Sequence, residues 1–332
     1  MASWRELIAP YQVPDVRRSL WQLANTLVPY LALQALLLLS VARSMSLWIT
    51  LGLAVVTAAF TTRLFIIFHD CGHGSFFASR TANEIVGFIT GVVSWAPPHR
   101  WWRDHNLHHA STANLDRRGV GDIDVLTVRQ YRAAPWPQRL WYRVLRHPIF
   151  LFGFGGAFVF LVQHRVWRPG AGWRERSSVL GVNLGLVVVA AAVVSTLGLR
   201  AWLLTQLLPV YLATISGFWL FYVQHQFEGA YWAREADWNF YEASLHGASY
   251  YQLPAVLRWF TGNIGYHHLH HLSSRIPNYR LKACHDANPS LHPSTTLTLF
   301  GALATLRLRL YDEDSRRVVG WPRRSFGGPR RD

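Results

Sequence analysis

Long apolar runs alternate with polar, arginine-rich stretches along this chain of 332 residues. Four of the runs are long enough for membrane spans, because a helix needs about twenty residues to cross the hydrocarbon core. The runs come in pairs. Residues 25–42 and 47–68 are separated by a short polar break, and residues 178–199 and 201–223 are separated by little more than Arg200. The pattern therefore predicts two transmembrane hairpins.

Two further apolar runs are interpreted as lying at the membrane surface. Residues 84–96 are too few to cross a bilayer and end at Pro97 and Pro98, after which a new helix is expected to start near His99. Residues 148–162 contain several glycines and aromatic residues. The expected fold is an all-α membrane protein with four transmembrane helices in two hairpins and a cytoplasmic helical cap.

These runs divide the chain into six expected segments, and within the cap an amphipathic helix is expected at about residues 295–310. The segments are an amphipathic cytoplasmic N-terminus (1–24), the first transmembrane hairpin (25–68), a cytoplasmic or interfacial region (69–177), the second transmembrane hairpin (178–223), the cytoplasmic cap (224–311) and a basic disordered tail (312–332).

The chain is strongly basic, with a formal net charge of +15, and Lys282 is its only lysine. Such a charge can indicate nucleic-acid binding. In a membrane protein it follows from the positive-inside rule and from attraction to anionic lipid headgroups, so no nucleic-acid partner is predicted. Arginines flank both ends of the first hairpin, which places the N-terminus and both hairpin ends in the cytoplasm. Two cysteines, Cys71 and Cys284, are too few for a disulfide framework.

Histidines are concentrated in three short stretches that follow or lie between the apolar runs. Residues three and four apart share one face of a helix, so the histidines of each stretch can converge on one point. Eight imidazoles exceed the four ligands of one tetrahedral ion, so the spacing predicts two metal ions. The eight are His69 and His73 in the first box, His105, His108 and His109 in the second, and His267, His270 and His271 in the third.

Other polar residues near the boxes have supporting roles in this interpretation. His268 points about 100° away from His267 on a helix and is excluded from the ligand set. His225 follows the fourth span as His69 follows the second, so all the boxes lie on one side of the membrane. Carboxylates that can accept the second N–H of a ligand are Asp70, Asp104, Asp116, Asp122, Asp124, Glu228 and Asp286. Histidines without boxed partners are His99, His147, His164, His246, His285 and His292.

A set of nitrogen ligands leaves several chemistries open, because it suits iron, copper, nickel or zinc. Two zinc ions would point to a membrane hydrolase, for which Asp70 and Asp104 are the candidate bases. Each lies one residue from a boxed histidine, which favours an orienting role instead. The Glu-x-x-His pairs of soluble di-iron bundles do not occur here. A non-enzymatic metal-handling protein would place histidines along the spans, whereas these lie beyond the span ends.

The three boxes, His-Asp-Cys-Gly-His at 69–73, His-Asn-Leu-His-His at 105–109 and His-His-Leu-His-His at 267–271, resemble those of the integral-membrane fatty acid desaturases. The similarity covers roughly residues 25–290. It extends to three further stretches and is strongest to the bacterial acyl-lipid desaturases of the Δ12 (omega-6) type. These stretches are residues 114–122, 222–228 and 262–279.

The resemblance implies a di-iron enzyme of the bacterial inner membrane that uses O₂ and two electrons to introduce a cis double bond into a lipid acyl chain, in unsaturated fatty acid biosynthesis. It implies that the eight boxed histidines bind iron and that His225 is a ninth ligand. The chain departs from some members at Phe221, where they have an asparagine. Asn263 has the same spacing from His267, but it is expected only to hold the turn before the third box.

The electrons must come from a separate carrier, since the sequence has no fused haem domain, cysteine cluster or glycine-rich dinucleotide turn. A small acidic ferredoxin or a similar protein is expected to dock on the arginines of residues 117–146. A related membrane hydroxylase, ketolase or alkane monooxygenase remains an alternative, because similar boxes serve those reactions. The acyl chain is expected to lie in an apolar tunnel formed by the second and fourth spans.

Overall fold

The computed structural model describes residues 3–322, and this part of the chain is mostly helical. It begins with the short helix α1 (Trp4–Ile8), followed by the long helices α2 (Val16–Ala42) and α3 (Leu47–Gly72). The side chain of Asp15 caps α2 by accepting from the backbone N–H groups of Arg17 and Arg18. Helix α2 therefore starts nine residues before the predicted span, and it packs against α3.

Helices α4 (Arg80–Val93) and α5 (Pro98–Ser111) form a short pair that packs against the end of α3. The sharp turn between them includes Trp95, whose φ is +56°. Proline at the first position of α5 suits a helix start, as the sequence indicated. The indole N–H of Trp102 donates to the carbonyl of Phe68 at 3.0 Å, and this bond ties the second box to the helix that carries the first.

Gly87 allows α4 and α5 to approach, because a Cβ at this position would overlap the ring of Trp102. Replacing Gly87 by alanine is expected to lower the free energy of unfolding by about 1–3 kcal/mol through overpacking. Thermal unfolding of the detergent-solubilised protein measures this loss. Gly52→Ala is the matched control, since a Cβ at Gly52 has no heavy atom within 4 Å. Equal destabilisation by both substitutions would contradict the packing account.

After two helices, α6 (Val128–Ala133) and α7 (Trp136–Leu145), the chain forms α8 (Pro148–Arg165), part of which is π-helical. The next two helices, α9 (Trp173–Leu197) and α10 (Leu199–His225), are separated only by Gly198, whose φ is +83°. Helix α10 packs against α3. The second and fourth predicted spans are thereby brought side by side.

Five helices of the described chain are long and apolar enough to cross a membrane: α2, α3, α8, α9 and α10. The sequence analysis interpreted residues 148–162, within α8, as surface-associated because of their glycines and aromatic residues. The helix reaches the necessary length by continuing to Arg165, beyond the apolar run that ends at Val162. The count of four spans and the arrangement in two hairpins remain predictions.

The rest of the described chain combines short helices with short strands. Strands β1 and β2 pair in parallel, and β3 and β4 pair antiparallel. The elements are α11 (Phe240–His246), β1 (Tyr250–Gln252), α12 (Ala255–Phe260), α13 (His267–Leu272), α14 (Asn278–Ala287), β2 (Thr296–Thr298), β3 (Leu310–Asp312) and β4 (Arg317–Val319). The fold is therefore predominantly helical, and the expectation of an all-α chain is wrong in these two places.

The helix expected at residues 295–310 is wrong. Residues Thr296–Thr298 form strand β2 instead, which agrees with the preference of β-branched threonine for strands. A 3₁₀ segment follows at Gly301–Arg307. In this arrangement the backbone N–H of Tyr250 donates to the carbonyl of Thr295 at 3.1 Å.

The disordered tail expected at residues 312–332 is also wrong where the structure describes it. Strand β4 pairs with β3, and Val318 is only 1% exposed. Val318 packs in an apolar cluster with Leu115, Val125 and Tyr311. These tertiary contacts order the segment, and its arginine-rich composition gave no indication of them. Residues 323–332 lie outside the described part of the chain.

Candidate metal centre

The nine histidines singled out in the sequence come together in two groups. Within each group the candidate ligand atoms all lie within 4.8 Å of one another. The first, the five-histidine group, consists of His69, His73, His105, His109 and His270. The second, the four-histidine group, consists of His108, His225, His267 and His271 and is buried throughout.

Helical spacing explains how each element presents its histidines. His69 lies in the last turn of α3 and His73 caps it, while His225 is the last residue of α10. The second box lies on α5 and the third on α13. Neither group corresponds to a single box, since each contains at least one histidine from the second box and one from the third. His105 and His109, four residues apart, share a group, while His108 joins the other.

The ring nitrogens of different elements converge closely. Nε2 of His109 lies 2.9 Å from Nε2 of His270, and Nε2 of His225 lies 2.9 Å from Nε2 of His267. Two ligands at about 2.1 Å from a metal would have their nitrogens about 3.0–3.4 Å apart at 90–109°. The observed separations are near this range, so both groups are shaped to hold a metal ion with modest adjustment.

The environment keeps six of the nine imidazoles neutral, which is the form that binds metals. Burial lowers their pKa well below the usual value, and neighbouring imidazoles lower it further, because two protonated rings would repel each other. Outside the apolar helices this lowering of the pKa applies to His73, His105, His109, His267, His270 and His271.

Two of the seven candidate carboxylates orient histidines. Asp122 hydrogen-bonds Nδ1 of His108, and Asp70 contacts Nδ1 of His69 at 3.0 Å. The other oxygen of Asp70 accepts from the backbone N–H and the side-chain amide of Asn278, at 2.7 and 2.8 Å. An acceptor at Nδ1 fixes the tautomer and leaves Nε2 free to bind a metal.

The remaining five candidate carboxylates form ion pairs elsewhere. Their partners are Arg100 and Arg103 for Asp104, Arg234 for Asp116, Arg118 for Asp124, Arg317 for Glu228 and Lys282 for Asp286. Sequence spacing alone did not distinguish them from Asp70 and Asp122. The sequence analysis also missed Asn278 and the carbonyl of Gly247, which lies 3.3 Å from Nδ1 of His225.

Removing the acceptor of His108 is expected to weaken metal binding. Asp122→Ala leaves Nδ1 of His108 without its carboxylate, and losses of about 10–100-fold in metal affinity are typical of such changes. The metal retained during competition with a soluble chelator measures the effect. Asp124→Ala removes a carboxylate that is 56% exposed and paired with Arg118, so it is the matched control. Unchanged metal retention in Asp122→Ala would show that this contact does not support the metal.

His268 and Asn263, which the sequence analysis kept out of the ligand set, belong to neither histidine group. His268 is buried but lies 3.4 Å from Nδ1 of His285, away from both groups. Asn263 has φ +57° and donates to the carbonyl of Asn278 at 3.1 Å, so it holds the turn before the third box. The ring of Phe221 packs 5.0 Å from the rings of both His108 and His225.

An apolar cavity of about 270 Å³ adjoins both histidine groups. It passes His69 and His105 of the first group and His267 of the second, and its walls come from α3, α5, α8 and α10. The apolar side chains that line it include Phe65, Ile66, Trp101, Phe160, Phe218, Leu220 and Phe221. A smaller cavity lies against it and shares Thr62, Phe65, Phe160 and Gly217 with it.

Long apolar helices and buried histidines that can hold metal ions together define the class, a membrane protein with a histidine-rich metal centre. Residues 46–300 match the family model described as Fatty acid desaturase. The chain is 44% identical to "Fatty acid desaturase" of Bacillus subtilis (strain 168), over 95% of this chain and 89% of that protein. The chain therefore belongs to the fatty acid desaturase family and is an oxidoreductase acting on fatty acids, as the sequence predicted.

Two relatives from Synechocystis sp. carry more specific names. The chain is 30% identical to "sn-1 oleoyl-lipid 12-desaturase" over 72% of this chain and 66% of that protein. It is 29% identical to "sn-1 acyl-lipid omega-3 desaturase (ferredoxin)" over 68% of this chain and 63% of that protein.

Proposed function

We propose that this chain introduces a cis double bond into the acyl chain of a membrane lipid, using O₂, two electrons and two iron ions. The observation that carries the proposal is the arrangement of nine convergent histidines in two groups beside one apolar cavity. A zinc-dependent hydrolase would need a free carboxylate as a base, whereas Asp70 and Asp104 are both engaged, with His69 and with arginines.

The donor set fits two iron ions. The five-histidine group would hold one and the four-histidine group the other, and both offer only neutral nitrogen ligands, which suit iron. When bound, the iron pair supplies the redox chemistry with O₂ that removes hydrogen from an unactivated C–H bond. Asp70 and Asp122 orient the ligands, as the contacts at Nδ1 of His69 and His108 indicate.

The cavity supplies substrate binding and excludes water. Its phenyl and indole walls offer no polar partner to a methylene chain, and each buried methylene contributes about 0.8 kcal/mol. The contribution is similar for every methylene, so the bond position must be set by how far the chain enters. Its lining also includes the polar side chains of Asp104, Asp122 and Gln163.

The specific substrate is proposed from the relatives. One is named for desaturation of an sn-1 oleoyl lipid and another for an sn-1 acyl lipid with ferredoxin. We accordingly propose an acyl-lipid substrate, a bond near Δ12, and a separate ferredoxin-like electron carrier. The arginine distribution supports placing the protein in the bacterial inner membrane, with its N-terminus and metal centre facing the cytoplasm.

The fatty-acid profile of a host that expresses this chain tests the proposal. Gas chromatography with double-bond localisation should show a new unsaturated acid in lipids of the wild type and none with His108→Ala. Hydroxy acids in place of alkenes would favour the related hydroxylase. An unchanged profile with well-expressed, zinc-containing protein would refute the oxidative function and favour a hydrolase.

A further inference from the structure

A polar groove of about 490 Å³ lies beside His73, a member of the five-histidine group. The end of α3, the beginnings of α4 and α9, and one face of α5 form it. Its lining includes Gly74 and Asn106 next to His73, and the exposed arginines Arg80, Arg103 and Arg174. The function of the metal centre described so far does not use this groove.

The groove and the acyl cavity lie on opposite faces of α5. Trp101, Asp104 and His105 line the acyl cavity, whereas Trp102, Arg103 and Asn106 line the groove. At 100° per residue these two sets point in nearly opposite directions. The metal centre can therefore be approached through the groove while an acyl chain occupies the cavity.

The groove is positively charged. Three arginines and one glutamate among its lining residues give a formal charge of +2 with neutral histidines (3 − 1). The glutamate, Glu84, is paired with His99 at 3.1 Å. Arg103 pairs with Asp104, while Arg80 and Arg174 have no carboxylate partner within residues 3–322. Two guanidinium groups are thus available to a negatively charged partner.

Five of the seven arginines in residues 117–146 are engaged within the protein itself, whereas Arg132 and Arg139 are exposed and have no carboxylate partner within residues 3–322. Arg117 pairs with Glu235, Arg129 with Asp314, and Arg118 with Asp124. Arg146 donates to the side chain of Gln226 at 2.7 Å and is only 2% exposed. This region therefore offers fewer available charges than its sequence implied.

We propose that the groove lined by Arg80, Arg103 and Arg174 is the docking surface for an acidic one-electron carrier protein. The inference rests on the proposed function, which requires electrons from outside the chain. Electron transfer weakens steeply with distance, and the groove brings a docked carrier to His73, a member of the metal centre. Opposite charges on the two proteins would speed their encounter and fix their orientation.

The reaction balances with two docking events. Each reduced carrier gives one electron, so two carriers give two electrons. The acyl chain gives up two hydrogens, which count as two electrons and two protons. With two further protons from water, these four electrons and four protons reduce one O₂ to two H₂O.

Binding of a plant-type [2Fe–2S] ferredoxin to the full-length protein in nanodiscs of zwitterionic lipid tests the proposal. The variant Arg80→Glu/Arg103→Glu/Arg174→Glu reverses the charge of the groove. The control Arg132→Glu/Arg139→Glu/Arg307→Glu makes the same charge change at three exposed arginines outside it. The dissociation constant is measured by surface plasmon resonance at low and at physiological ionic strength, and the iron content is checked in each protein.

We expect the groove variant to weaken binding at least about tenfold at low ionic strength and to lose most of the salt dependence, while the control changes the constant less than about threefold. Wild-type affinity in the groove variant, or equal weakening in the control, overturns the proposal. If phosphatidylglycerol co-purifies with the wild type but not with the groove variant, while ferredoxin affinity is unchanged, the proposal is also overturned and the groove is assigned to a lipid headgroup. Failure of the proposed function appears separately, as an unchanged fatty-acid profile with the wild type.

Discussion

Replacing His267 by alanine is expected to abolish desaturation and to remove the iron held by the four-histidine group. His267 is buried, and its Nε2 lies 2.9 and 3.1 Å from Nε2 of His225 and His271. Without it three imidazoles remain in that group, while all five remain in the other. The purified variant should therefore contain about one iron per chain instead of two, and its host should make no new unsaturated acid.

His268→Ala is the matched control for this prediction. The two histidines are adjacent and equally buried, and the substitutions remove the same volume, so a general loss of stability should affect both. Only His268 faces away from the metal centre, toward His285. The control should keep both irons and its activity. Loss of iron from both variants to the same extent would contradict the assignment.

Replacing Gly217 by leucine is expected to block the acyl chain and leave the metals in place. Gly217 lines both apolar cavities, and a Cβ there meets no heavy atom within 4 Å, so the added side chain fills empty space. Excluding about three methylenes would forfeit about 2.4 kcal/mol, which corresponds to a roughly fiftyfold lower kcat/KM on long-chain substrate.

The iron content distinguishes this block from a damaged metal centre. Gly217→Leu should retain the wild-type iron content, and shorter acyl chains should be affected less than long ones. Gly52→Leu adds the same side chain in open space on α3, outside both cavities, and should leave the product profile unchanged. Normal desaturation of long chains by Gly217→Leu would show that the acyl chain does not pass this residue.

Local spacing predicted the histidines well because a helix fixes which side chains share a face. The intervals within residues 105–109 and 267–271 were enough to propose convergence, and to exclude His268. The division into groups of five and four was not predictable in this way. It depends on how α3, α5, α10 and α13 pack, which places His108 opposite His271 and His109 opposite His270.

The residues that orient the histidines could not be identified from sequence spacing either. Asp104 and Asp122 looked alike in sequence, but Asp104 faces arginines, while the loop containing Asp122 folds over His108. This loop conformation requires a glycine at position 121, where φ is +74° and a Cβ would lie 2.6 Å from the carbonyl oxygen of Asp104. Asn278 lies 208 residues from Asp70 along the chain, so only tertiary structure reveals their contact.

The fold was predicted best where apolar runs were long and worst where segments were short. Strands β2 and β4 have three residues each and gain their order from partners elsewhere, which periodicity cannot detect. Residues 148–162, within α8, were interpreted as lying at the membrane surface because of their glycines and aromatic residues. The length of α8 as a continuous helix became apparent only in the structure.

The measurement that tests the central claim most directly is the metal content of the purified full-length protein, by inductively coupled plasma mass spectrometry. The account predicts about two iron ions per chain in the active protein, one for each histidine group. Protein that desaturates acyl chains with at most one iron, or that contains zinc in both groups, would contradict it.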